Sequence, residues 1–73
     1  MTPLRERLLK AIGEFTEKNG YSPTHRELMV LSGASSTSVV AYNLRCLVAA
    51  GLVEKNARAF RTVRLTEKGR EVT

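Results

Sequence analysis

The stretch YSPTHRELMVLSGASSTSVVAYNLRCLVAAGLVEK, residues 21–55, decides the fold. A residue before proline avoids the helical region, so Tyr21-Ser22-Pro23 is extended. Thr24 to Glu27 has the form of a capping box. Thr24 takes the third helical amide and the Glu27 carboxylate reaches back. A short helix follows over about 25–31, with Leu28, Met29 and Leu31 as its apolar residues. Met29 reads as core or core edge. Ser32-Gly33-Ala34 breaks the pattern, because glycine reaches the left-handed conformation that a sharp helix exit needs. The next helix runs over about 37–50 with Ser36 as its N-cap, or Ser35 as the alternative. Val40, Leu44, Leu47 and Val48 recur at i, i+4, i+7 and i+8 and form a core stripe. Gly51 ends it. Helix, glycine turn and helix together are a helix-turn-helix pattern.

The flanks extend this unit. Upstream, Thr2 caps and Pro3 opens a first helix over about 3–18. Its stripe is Leu4, Leu8, Ala11, Ile12 and Phe15. Arg5, Glu6, Lys10, Glu14, Glu17 and Lys18 take the other faces, and Asn19-Gly20 closes it. Downstream the period becomes extended. Leu52–Lys55 and Arg61–Leu65 read as the strands of a hairpin over about 52–65. The loop between them lacks glycine, so no tight two-residue turn is signalled, and Asn56 is the candidate for a positive φ. Thr66 can cap a short turn, Gly69 argues against a long helix, and the tail 66–73 is expected to fray. The expectation is one domain over 1–73, mainly α with a small β-hairpin: a winged helix-turn-helix of three helices plus wing.

Composition narrows the function. The chain has 73 residues and a formal net charge of +5. One cysteine, Cys46, excludes a disulfide framework and fits a reducing compartment. One histidine and one cysteine cannot supply the usual four ligands of structural zinc, so no metal and no cofactor are expected. Residues 1–43 carry five basic and four acidic side chains, and residues 44–73 carry seven and three. Lys55, Arg58, Arg61 and Arg64 fall in a run without an acid. This is either a solvated basic hairpin or a surface for phosphates. No apolar run reaches the roughly 18 residues of a membrane span, and the N-terminus lacks a signal-peptide core. A cytoplasmic, nucleoid-associated location is expected, without membrane contact. Serines abound, but the lone His has no acid partner at a site and no glycine-rich phosphate loop exists. No catalytic residues are assigned, and the protein is not expected to be an enzyme.

The segments NGYSPTHREL and SGASSTSVVAYNLRCLVAAGLVEK resemble the N-terminal DNA-binding domain of the LexA repressor family. Asn19, Gly20, Pro23, Thr24, Glu27, Gly33, Ser36, Leu44, Leu47 and Gly51 stand in the family's places. The likeness runs without gaps from Gly20 to Leu65, and over the first helix it is one of pattern rather than identity. It implies that Ser36, Ser38, Val39, Ala41 and Tyr42 read bases. The family's residues at positions 41 and 42 are often charged or polar, so Ala41 and Tyr42 imply a different operator. LexA proteins also carry a C-terminal serine–lysine protease domain. This sequence stops at Thr73, so that domain, and self-cleavage, are not expected. The ending LTEKGRE is similar to the post-wing segment of other bacterial winged-helix regulators.

In a winged helix the third helix enters the major groove and the wing follows the backbone. Backbone contacts are assigned to Thr24, His25, Arg26, Ser35, Thr37, Arg45, Lys55, Arg58, Arg61 and Arg64. Each assignment has a plainer counterpart. The Ser35–Ser38 run can be a cap and nothing more, His25 a solvated surface residue, and Tyr42 a partly buried edge residue. Cys46 reads as packing. The expected function is a sequence-specific double-stranded DNA-binding transcription regulator of bacterial, phage or mobile-element type. The alternative is a winged-helix protein–protein module in a replication, recombination or other nucleoprotein complex. A homodimer or a protein partner is possible under either reading.

Overall fold

The computed structural model describes residues 2–56 and 62–73. The elements run α1 (Pro3–Asn19), α2 (His25–Ser32), α3 (Thr37–Ala49), β1 (Val53–Glu54), β2 (Arg64–Leu65) and α4 (Glu67–Glu71). The local signals act as side-chain chemistry requires. Thr2 Oγ1 accepts the Arg5 amide at 3.3 Å. The capping box at α2 is complete: the Glu27 amide donates to Thr24 Oγ1 at 3.1 Å, and the Thr24 amide donates to Glu27 Oε1 at 2.8 Å. Ser36, not Ser35, caps α3, its Oγ accepting the Val39 amide at 3.2 Å. Each such cap stabilises its helix by about 1 kcal/mol.

The turn between α2 and α3 depends on Gly33, which has φ of 76°. The amides of Gly33 and Ala34 both donate to the Met29 carbonyl at 3.1 Å, closing the end of α2. A residue with a Cβ is strained there, so the glycine sets the angle at which α3 departs.

The core lies where α1 meets α2, α3 and β2. Leu8, Ile12, Leu28, Val40 and Leu44 are fully buried. Burying side chains of this size contributes about 1.5–3 kcal/mol each. The buried set on α1 is broader than the expected stripe. It includes Leu9, because a helix packed against three elements buries a wide arc. Phe15 is half-buried and sets its ring edge-on to Tyr21, with centroids 5.6 Å apart. Val48, expected in the core stripe of α3, is instead 40% exposed. About 100° per residue carries it past Leu44 to the rim of the packed face.

β1 and β2 pair antiparallel, Val53 opposite Leu65 and Glu54 opposite Arg64. The period of two puts Val53 and Leu65 in the core and Glu54 and Arg64 outside. Asn56 and Thr62 extend the pairing through two bonds, from the Asn56 amide to Thr62 Oγ1 at 3.0 Å and from Thr62 Oγ1 to the Asn56 carbonyl at 2.9 Å. The described residues thus form three main helices and a hairpin, a winged helix-turn-helix.

The segment after the wing, expected as a short turn capped by Thr66, forms the five-residue helix α4. Thr66 caps α4 by accepting the Gly69 amide at 3.0 Å. It also ties α4 back to the end of α3. Its Oγ1 donates to the Gly51 carbonyl at 2.6 Å and its amide to the Leu52 carbonyl at 3.1 Å. Gly69 is buried against the Leu52 carbonyl, where an added Cβ would collide with the oxygen. The glycine that argued against a long helix here also serves close approach.

Candidate nucleic-acid interface

α3 presents two faces. Val40, Leu44 and Leu47 face the core. On the other side, Ser38, Ala41, Tyr42 and Arg45 follow helical spacing and stay in contact with solvent. Tyr42 is 56% exposed on this side of the helix. The Arg45 guanidinium lies 5.9 Å from the Tyr42 ring centroid. Such an exposed cation–π contact contributes about 0.5–1 kcal/mol and limits the rotamers of both side chains. Val39 is half-buried at the flank of this face. Ser35, Thr37 and Ser38 are exposed at the head of the helix, and Ser36 is half-buried in its capping role. Capping uses an acceptor lone pair of Ser36 and leaves its hydroxyl proton free to donate.

A second group gathers where α2 begins and the wing leaves the core. Thr24 and His25 are half-buried, Arg26 is exposed, and Lys55 is half-buried at the end of the first wing strand. Ser22, Glu54, Lys55, Asn56, Thr62 and Arg64 line a shallow cleft of about 430 Å³ beside it. His25 and Lys55, 30 residues apart in sequence, sense one another electrostatically. Burial first, and then the Lys55 charge, hold the His25 imidazole below its ordinary 6.5.

That shift has a sign that can be checked. The fold disfavours imidazolium, so the unfolded chain binds the proton more readily. The contribution is fully present above about pH 6.5 and is lost as pH falls through the lower folded value. The urea midpoint of the wild type is expected to drop between about pH 7.5 and 5 more than that of His25→Gln. Equal drops in both proteins would place the titration elsewhere.

Among the described residues of the basic wing cluster, Arg64 has an acidic neighbour. Arg64 Nε donates to Glu54 Oε1 at 2.8 Å, with both side chains largely exposed. An exposed pair of this kind is worth about 0–1 kcal/mol, so Arg64 is partly neutralised but readily released. Glu54 lies one residue before the acid-free run and across the hairpin from Arg64, which only strand register reveals. Arg58 and Arg61 lie outside the described residues.

Two further polar ties were not legible in the sequence. Arg5 Nε donates to Asn43 Oδ1 at 2.9 Å, and Asn43 Nδ2 donates to the Val39 carbonyl at 2.8 Å. Arg7 Nε donates to the Ser32 carbonyl at 2.8 Å, satisfying the end of α2. The sequence signal for the first was Asn43 itself, a polar residue that borders the core stripe of α3. Nothing in the pattern of the first helix singled out Arg5 or Arg7. Among the described residues no group of His, Cys, Asp and Glu is placed to hold a metal ion. Cys46 is half-buried as a free thiol.

A helix-turn-helix with a wing, a solvent-facing α3 and a basic junction between α2 and the wing define the winged helix-turn-helix class. Residues 1–62 match the LexA DNA binding domain family, and the chain belongs to it. It is 45% identical over 58 residues to the LexA repressor of Roseiflexus sp. (strain RS-1), covering 80% of this chain and 27% of that protein. It is 41% identical over 66 residues to the LexA repressor of Lacticaseibacillus casei, covering 90% and 32%. The LexA repressor of Cellvibrio japonicus is 33% identical over 67 residues, covering 92% and 34%. The chain thus spans about a third or less of the length of these curated relatives.

Proposed function

We propose that the chain is a sequence-specific double-stranded DNA-binding domain of a transcription regulator, acting in the cytoplasm. The observation that carries this reading is the exposed polar face of α3 in a member of the LexA DNA-binding family. α3 enters the major groove, which at about 12 Å wide admits one helix. Small residues at its head let the backbone come close, and Ser36 and Ser38 offer hydroxyl donors and acceptors. Val39 and Ala41 suit contact with thymine methyls, and Tyr42 can stack or hydrogen-bond. Thr24, His25, Arg26, Ser35, Thr37, Arg45, Lys55, Arg58, Arg61 and Arg64 meet the backbone. Residues 1–73 act as one domain, without metal, cofactor or catalysis.

Binding to a duplex should weaken steeply with salt, with a slope of about −0.9 per phosphate neutralised. Arg58→Ala and Arg61→Ala are each expected to reduce the slope by about 0.9 and to weaken all sequences alike. Anisotropy titrations on two unrelated duplexes measure both effects. A sequence-dependent loss would mean that these arginines read bases rather than phosphates.

A second reading, a protein-interaction module, draws on one observation. Val30 is 73% and Leu31 54% exposed on the outer side of α2. They border an open groove of about 1,100 Å³ between α1 and α2, whose charged lining residues are Arg7, Lys10, Lys18, Arg26, Glu14 and Glu27. Failure of the wild type to bind any mixed duplex at low salt would favour this reading and end the first.

A further inference from the structure

We infer that Arg5 of α1 is a DNA-backbone contact, and that Asn43 positions it at the flank of α3. This rests on the DNA-binding reading above and adds a helix that neither the sequence pattern nor the wing brings into the interface.

The geometry begins with Asn43. With about 3.6 residues per turn, position 43 falls between Val39 on the solvent-facing side of α3 and Leu47 on the core side. The Asn43 side chain is buried and held at both ends, accepting from Arg5 Nε at 2.9 Å and donating to the Val39 carbonyl at 2.8 Å. Arg5 is therefore fastened through the inner edge of its guanidinium to the border of the reading face. Its side chain crosses from α1 to α3, a link of 38 positions in sequence. The residue is half-buried rather than enclosed. Among the described residues, its two terminal nitrogens have no hydrogen-bond partner.

Structure and charge both bear on the assignment. If the residue only tied α1 to α3, one neutral donor to Asn43 would serve. An arginine adds a permanent charge and further donors in a planar fork that fits phosphate oxygens. A helix seated in the major groove has a phosphate wall on either side. The wing and the start of α2 offer cations elsewhere in the site. Arg5 offers one at the α1 side of α3, with only Nε engaged by Asn43 and the terminal nitrogens left to donate. Holding the side chain in advance reduces the rotamer entropy lost on binding.

The test is the salt dependence of binding to a mixed duplex of about 20 base pairs, read by fluorescence anisotropy. Arg5→Ala is expected to reduce the slope of log K against log salt by about 0.9 and to weaken unrelated duplexes alike. Arg5→Gln retains a donor for Asn43 but loses the charge, so it decides the matter if Arg5→Ala fails to fold. It should keep the thermal midpoint near wild type and show the same reduced slope. Asn43→Ala leaves the charge but frees the side chain, and affinity should fall for all duplexes. A wild-type slope in Arg5→Gln would overturn the inference and leave Arg5 a structural tie. Unchanged affinity in Asn43→Ala would remove the positioning role. No binding by the wild type would instead overturn the DNA-binding reading, so the two failures are distinct.

Discussion

Gly69→Ala is expected to lower the thermal midpoint by more than about 12 °C. The cause is steric. The added Cβ would collide with the Leu52 carbonyl oxygen and press on the Leu52 carbonyl carbon, and both are backbone atoms that cannot rotate away. Overpacking costs about 1–3 kcal/mol even where side chains can adjust, and here α4 must shift. Movement of α4 threatens the bonds from Thr66 to the Gly51 and Leu52 carbonyls. A loss of about 3 kcal/mol corresponds to about 12–24 °C in a domain of this size. It also approaches the whole net stability, about 3–5 kcal/mol, that one small core supplies. Gly20→Ala is the control. Gly20 has φ of 77° but nothing within 4 Å of an added Cβ, so strain alone acts. That should cost about 1–2 kcal/mol. Melting curves followed by helical circular dichroism compare the two. Equal shifts would mean that close approach to Leu52 is not what Gly69 provides.

Tyr42→Ala is the functional prediction with the largest expected effect. The ring is exposed on the solvent side of α3 and steadied by Arg45. Its removal therefore leaves the core intact while deleting the largest side chain of the proposed reading face. Binding to the preferred duplex should weaken by about 1–3 kcal/mol, a factor of about 5 to 150. Binding to unrelated duplexes should change little, because the phosphate contacts remain. Selection from a random duplex library, run on both proteins, measures the change. The preferred sequence should differ between them at one or two base pairs, and an unchanged preference would remove Tyr42 from base reading. A palindromic wild-type site would in addition point to a dimer.

Much of the fold was legible because its signals are local. Thr24 and Glu27 are three residues apart, and a capping box needs nothing more distant. Gly33 and the Ser36 cap are equally short-range, so the helix-turn-helix can be read along the chain. The same holds for the division of α3 into a core stripe and an outer face. Its limit is Val48, where periodicity cannot say how far the packed arc extends. The basic wing was legible as charge but not as pairing. Glu54 looked separate from the arginine run until antiparallel register set it opposite Arg64.

The sequence by itself determined the order of the three main helices, the caps at Thr2 and Thr24, the glycine turn and the polar outer face of α3. These follow from backbone sterics and from bonds spanning three or four residues. Only the tertiary structure decided how wide an arc of α1 is buried, that Arg5 reaches Asn43, that His25 shares a junction with Lys55, and that α4 docks on Leu52. Each of these joins positions that the chain separates and packing brings together. Gly69 shows the physical reason most directly. Judged by propensity, a glycine weakens a helix; judged by its contacts, the missing Cβ is what lets the helix close on the Leu52 carbonyl.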